Sequence, residues 1–459
     1  MSPVAERHDT YLAAYAQFAK AQGPTSPAWL QERRARASAL YAERGFPTTR
    51  HEDWRFTNVS PLAETAFELA YGTPRAAAAL IEGVGVAGAV RLAIVNGEFV
   101  PELSDLRHLP KGVRLAGLRA GVRDQADGVE QHLAATFALD AHPFAALNTA
   151  FLDDGVAIMT APGLVVEVPI HIVVVTAGQE QKPGPQASKP ASPPVSHPRV
   201  LVVAAPDSHV RIAQSFIGVD DSVYFTNAVT EVVVGDGARV DLYTDQRESQ
   251  QAFHILNVQA HVGARGLFAS HAFATGARLM RHDIGVALKG EGGHATMNGV
   301  YLADGDRLMD THTALDHAMP HCTSHELYKG ILAGKARGVF NGRIIVRLDA
   351  QKTDAKQTNR ALLLSDEAQI NSNPQLEIFA DDVKCTHGAA VGQLDEEAMF
   401  YLQARGLTPA AARDMLLHAF AGEVLQGLEI PALRAQIEST LFSALDRDLV
   451  GLRAGQAEG

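Results

Sequence analysis

The chain has 459 residues, 46% of them hydrophobic and 20% charged, which is the balance of an ordinary globular protein and excludes disordered and collagen-like classes. Forty Lys and Arg against 52 Asp and Glu leave a net charge of −12, which argues against nucleic acid as the partner because phosphate binding needs a basic surface. Two cysteines, Cys322 and Cys385, cannot build a disulfide framework and fit a reducing compartment.

At about 150 residues per domain the length allows roughly three domains or one elongated repeat. The N-terminus, MSPVAERHDTYLAAYAQF, lacks the basic segment and short apolar core of a signal peptide. The longest apolar stretch, Leu164 to Ala177, is broken by Glu167, Pro169 and His171 and is too short to cross a bilayer as a helix. A cytoplasmic protein with no membrane partner is expected.

In chain order, SPAWLQERRARASALYAERG predicts a helix, with Ser-Pro at its start, apolar residues at helical spacing and a closing Gly. FPTTRHEDWRFTNVSPL follows as a loop, where Asp53, Trp54 and Arg55 read as an aromatic anchor or as functional residues. Residues 75 to 155 mix strand patterns such as VRLAIVNGEF with the helix-like GVEQHLAATFALDAHPFAALNTAF. The first region is therefore 1–154, N-terminal and helical or mixed.

From Gly155 short β-branched runs take over: VAIMTA, LVVEVPIHIVVVTA, RVLVVAA, VTEVVVG and FHILNVQAHVG. Small-polar corners recur at Asp207, Asp236, Val262 and Glu291, spaced 29, 26 and 29 residues apart. A period in the twenties with strands between Gly corners predicts a solenoid rather than a sandwich, whose turns come every 8–12 residues or so. Residues 155–394 form this core, interrupted by GQEQKPGPQASKPASPPVSHPR at 178–199, a Pro- and Ser-rich flexible insertion. The third region, 395–459, returns to helices. Asp395-Glu396-Glu397 starts one that Gly406 ends, and Thr408-Pro409 starts a second with Met415, Leu416, Ala419, Phe420 and Val424 on one face. PALRAQIESTLFSALDRDLV is the third.

Four motifs carry chemistry on paper. GVGVAG at 83–88 matches a dinucleotide fingerprint, but a helix-like segment precedes it and a strand-like one follows, the reverse of what phosphate cradling requires. GILAGKA, Gly330 to Ala336, is one residue short between its glycines for a phosphate loop and has Ala where Ser or Thr would hold magnesium. His312, His317, His321 and His325 gather with Asp310, Asp316, Cys322 and Glu326 in a run whose spacing fits no compact zinc signature; a metal site and structural histidines both remain readings. Cys385 and His387 in DDVKCTHGA are two apart, so an extended strand points both to one face, where they can bind one metal or pass sulfur. A buried structural pair is the other reading.

YKGILAGKARGVFNGRIIVRLDAQKTDAKQTN, PQLEIFADDVKCTHGAAVG and LDEEAMFYLQARGL together resemble the SufB/SufD family of iron-sulfur cluster assembly proteins. HEDWRFTNVSPL and LMDTHTALDHAMPHCTSHELYKG resemble its D branch, so the likeness spans nearly the whole chain. The resemblance implies a right-handed parallel β-helix between helical N- and C-terminal regions. It also implies a non-enzymatic scaffold subunit that pairs with SufB and carries a SufC ATPase on its C-terminal helices, with a transient nascent iron-sulfur cluster at the SufB interface. The family's C-x-H falls on Cys385 and His387, the candidate metal-binding residues. The B branch has a sulfur-accepting cysteine before a Leu-Leu run, and QTNRALLLSD here has none. Alternatives are a purely structural partner of SufB and SufC and a polysaccharide-active β-helix enzyme; among partners, a second copy is a further option when the chain is isolated.

With no Gly-rich loop carrying Lys and Ser or Thr, the purified chain should hydrolyse no ATP. Turnover that disappears on replacing Lys335 would overturn this.

Overall fold

The computed structural model describes residues 3–22, 25–126, 128–178, 192–219 and 221–456. The β-branched runs become strands of two mainly parallel sheets, one of 11 strands and one of 10. Successive strands alternate between the sheets, so strands adjacent in space are two apart in sequence, and the chain winds about 7 solenoid turns. The expected parallel solenoid is the observed core. Its strand pairing is in register, which stacks like positions into columns. Val202, Val232, Ala260, Val286, Leu315, Ile344 and Leu376 form one inward column of the first sheet. Val210, Val240, Phe268, Ala295, Ser324, Ala355 and Cys385 face them from the second. Each fully buried Val, Leu or Ile contributes on the order of 1.5–3 kcal/mol.

The corners explain the period. Asp207, Gly237, Arg265, Gly292, His321 and Lys352 have positive φ between 52° and 70°. The backbone N–H of each donates to a carbonyl of the next turn: to Asp236, Ala264, Glu291, Pro320, Gln351 and Asp382, at 2.7–3.1 Å. Gly155, at the entry to the core, is obligatory for a second reason: a Cβ there would lie 2.0 Å from the Arg199 carbonyl oxygen.

Of the stretch read as a flexible insertion, 179–191 lies outside the described residues. Pro194–Ser196 is instead a strand, pairing with Phe225–Thr226 and with Glu68–Leu69, and Arg199 opens the next. Val195 is buried in an aromatic-rich cluster, which the Pro-Ser composition around it conceals.

The C-terminal helices are Glu396–Ala404, Pro409–Leu425 and Pro431–Gln456. Asp395 caps the first by accepting from Glu397 and Ala398 N–H, and Thr408 caps the second. The second helix buries Leu417, Ala421, Val424 and Leu425 against Val300, Leu302 and Ile331 on the outer face of the second sheet. Its packed stripe is thus rotated from the expected one, and Met415 and Ala419 face out. Lys329 sets this rotation: its ammonium donates to the Phe420 carbonyl at 2.7 Å and pairs with Glu423.

At the other end, Pro3–Gln22 is a helix the sequence reading did not single out, and Ala28–Arg44 matches the expected one, closed by Gly45 at φ 62°. GVEQHLAATFALDAHPFAALNTAF splits into Val129–His132 and Pro143–Ala150. The cause is Glu231, fully buried on the first sheet, whose carboxylate accepts the N–H groups of Ala134, Ala135 and Thr136 that would otherwise continue a helix. Arg199 pairs with the same carboxylate at 2.6 Å. The HEDWRF loop is anchored comparably. Trp54 is buried under the Arg281 guanidinium, 3.7 Å from the ring centre, and Arg281 also donates to the Asp53 carbonyl, Asp283 and Asp310. Replacing Arg281 with Met leaves the buried Asp310 and the partly buried Asp283 without their cation and should lower unfolding free energy by about 3–5 kcal/mol, measured by denaturant unfolding.

Candidate functional site

The last turn ends on the strands Gln369–Ile378 and Lys384–Gly392, each the terminal strand of its sheet and hydrogen-bonded along one edge only. The corner before the second is fixed by Lys352, whose N–H donates to the Asp382 carbonyl at 2.7 Å and whose ammonium pairs with the Asp382 carboxylate. Lys384 N–H then donates to the Thr353 carbonyl at 2.8 Å, which sets the register. Cys385 consequently stands opposite Ala355, and His387 opposite Gln357. Ala355 and Gln357 are buried, so both candidate side chains lie on the inward face, as their spacing implies. Cys385 is half-buried and packs against the apolar core, whereas His387 is exposed because no further turn covers it.

Burial, and the Asp354 carboxylate after it, push the Cys385 thiol above its ordinary pKa. The side chain is therefore a poor spontaneous thiolate; an iron ion must displace the proton to gain the sulfur as a ligand. Two donors on one face fill only part of an iron coordination sphere, so the rest must come from sulfide or from another chain.

Beneath His387 the column turns polar. Gln357, 2% exposed, donates from Nε2 to Glu326 Oε2 at 2.7 Å, and Glu326 is fully buried. Burial raises the Glu326 carboxyl to about 7, against the lowering effect of the Thr313 hydroxyl and the Gln357 amide. The functional reading of the sequence placed Glu326 only in the histidine-rich run and did not name Gln357. Aligning strands by turn, 326 to 357 to 387, would have placed them in one column.

The histidine-rich run does not assemble. His312 bonds Asp310 at 3.0 Å on the outer face of the first sheet, while His317 points into the core and meets Ser324 Oγ at 2.9 Å. His321 occupies a corner, and His325 lies outward on the second sheet. Among the described residues no three His, Cys, Asp or Glu side chains converge as a metal site. GVGVAG lies between helix Arg75–Gly83 and strand Val90–Val95, the order inferred from sequence.

Residues 187–420 match the family model for the SufBD core domain of SUF-system FeS cluster assembly, and residues 5–172 match that for the SufBD protein N-terminal region. The chain belongs to the SufBD family. An iron-sulfur cluster assembly SufBD family protein of Synechocystis is 31% identical over 440 residues, covering 94% of each chain. The iron-sulfur cluster assembly protein SufD of Escherichia coli is 30% identical over 398 residues, 86% of this chain and 88% of that one. SufD of Bacillus subtilis is 26% identical over 72% of this chain and 74% of its own. This SufBD protein thus has a role in iron-sulfur cluster assembly. Among its described residues no helix is long and apolar enough to cross a membrane, and both cysteines are free.

The geometry separates the two thiols. Brief iodoacetamide treatment of the folded chain should modify Cys385 ahead of the fully buried Cys322, with a rate that rises only in the alkaline range. Peptide mapping across a pH series checks both points; rapid, pH-independent alkylation of Cys385 at neutral pH would contradict the burial argument.

Proposed function

We propose that this chain is the D-type subunit of a SufB-SufC-SufD scaffold, itself without catalytic activity, and that it presents His387 at the site where a nascent cluster forms. The observation that carries this reading is the open last turn. Two terminal strands offer unpaired backbone groups beside exposed Ile378, Phe379 and Val391, and the exposed His387 lies on the same turn. Such an edge favours strand addition by a partner of similar fold, which for this family is SufB. A second copy can occupy the same edge when the chain is alone, which gives the homodimer. His387 then supplies imidazole to iron, and Cys385 assists once its proton is lost.

The ATPase surface follows from the C-terminal helices. Phe400 and Tyr401, 73 and 55% exposed, lie on a helix that buries no residue, and Met415, 50% exposed, on one whose other side packs on the solenoid. We place SufC docking there. A polymer-active enzyme would need a free outer β-face; here the aromatic-rich N-terminal region lies on the first sheet and helices on the second. The role in cluster assembly fits a cytoplasmic complex.

Two experiments test the reading. His387→Ala should leave the chain folded and complex yield unchanged, because an exposed side chain on the last turn contributes little to packing. Iron and acid-labile sulfide in the purified complex should fall sharply, and Cys385→Ser should have the smaller effect. A well-assembled His387→Ala complex with full cluster content would remove the residue from the mechanism. For the ATPase surface, deleting the helices would bare Val300, Leu302 and Ile331. Phe400→Asp with Tyr401→Ser is the cleaner change. It should abolish SufC binding in a pull-down while SufB is retained, and unchanged SufC binding would show that the surface is misplaced.

A further inference from the structure

Glu326, Gln357 and His387 stand one above another on three successive turns of the second sheet. The bond from Gln357 Nε2 to Glu326 Oε2 fixes the orientation of the amide, because an ionised carboxylate accepts only from the nitrogen side. The amide oxygen is then committed to the other side. Gln357 Oε1 is buried and has no hydrogen-bond partner among the described residues. Leaving a buried carbonyl without a donor is costly, so such an atom asks for an N–H or O–H within reach. The in-register neighbour on the next strand, at the usual spacing of about 4.8 Å, is His387. Its imidazole carries an N–H.

The amide sits in a tight space. Gly342 lies opposite on the first sheet, and its backbone admits the Gln357 side chain so closely that a Cβ there would come 2.3 Å from Nε2. A glycine at this point of the inward column thus makes room for the amide, while the Glu326 carboxylate selects its orientation.

We propose that Gln357 is a positioning residue for His387: its Oε1 accepts the imidazole N–H, Glu326 anchors the amide from the turn below, and the other ring nitrogen is held with its lone pair outward. Ligands to a metal are commonly oriented this way, by an acceptor that fixes tautomer and ring angle. The proposal rests on His387 being the cluster-facing residue, yet the positioning itself is measurable without any cluster.

The test uses the full chain with ¹⁵N-labelled histidine, read by two-bond ¹H–¹⁵N NMR at pH 8, on the ionised side of the Glu326 carboxyl. Loss of signals in His387→Ala assigns the residue. Wild type should show one dominant tautomer of His387, and Gln357→Met, which keeps the side-chain length but removes the acceptor, should show both. Glu326→Gln, whose amide can donate as well as accept, no longer selects the orientation of the Gln357 amide and should weaken the wild-type tautomer preference. Should Gln357→Met fail to fold, Gln357→Asn withdraws the oxygen by one bond and should lose the preference equally. In the complex with SufB and SufC, Gln357→Met at normal yield should lower cluster content about tenfold, the low end for outer partners of metal ligands. Identical His387 tautomers in wild type and Gln357→Met overturn the proposal. A changed tautomer together with full cluster content in His387→Ala would instead leave the positioning intact and sink the functional reading.

Discussion

In-register stacking of the turns is the constraint from which the rest of this molecule follows. Six corner residues with positive φ, from Asp207 to Lys352, each pass an N–H to a carbonyl one turn further on. Because that bond repeats at the same point of each turn, the strands cannot slip, and a residue's place in the turn decides whether it faces the core or the surface. Columns such as Val202 to Leu376 are the visible result, and the single apolar core they create runs the length of the solenoid.

A solenoid built this way has two long outer faces and two ends. The N-terminal region occupies one face through buried charge and aromatic contacts, with Arg281 held between Trp54 and two aspartates, and Arg199 paired to Glu231. Removing charges from water is expensive, and each of these groups is paired within its own cluster, so the two clusters specify one docking geometry more than they add net stability. The C-terminal helices occupy the other face through an apolar stripe and the buried Lys329. What is left open is the last turn, where stacking has no further partner. The candidate site lies where the repeat stops satisfying itself.

One inward column of the second sheet changes character toward that end. Early turns place Ile212 and Leu242 in the column that later holds Glu326, Gln357 and His387. Replacing aliphatic side chains by buried polar ones costs solvation that hydrogen bonds only partly return. Glu326 illustrates the cost: burial pushes its carboxyl up to about 7 even with an amide donating to it. A fold selected for stability alone would continue the apolar column, so the polar run is expensive where it stands and is best understood through the residue it leads to.

Much of this was legible in the sequence. Gly-containing corners at Asp236-Gly237 and Glu291-Gly292 gave the period, β-branched runs gave the strands, and Asp395, Thr408 and Pro409 gave the helix starts, because each signal acts over a few residues of backbone. The later corners at His321 and Lys352 were hidden, since they reach the same positive φ without glycine. The spacing of Cys385 and His387 fixed their common face, an outcome of strand geometry alone. Only the tertiary structure decided the rest. Glu231 reaches 95 to 97 residues back to end a helix that local pattern favoured, and Lys329 turns a helix more than 90 residues away. The histidine run disperses because a strand and a corner send neighbours in opposite directions, whereas Glu326, Gln357 and His387, about thirty residues apart each, meet through the stacking of turns. Local chemistry determined the repeat, and contacts between its turns determined which side chains came together.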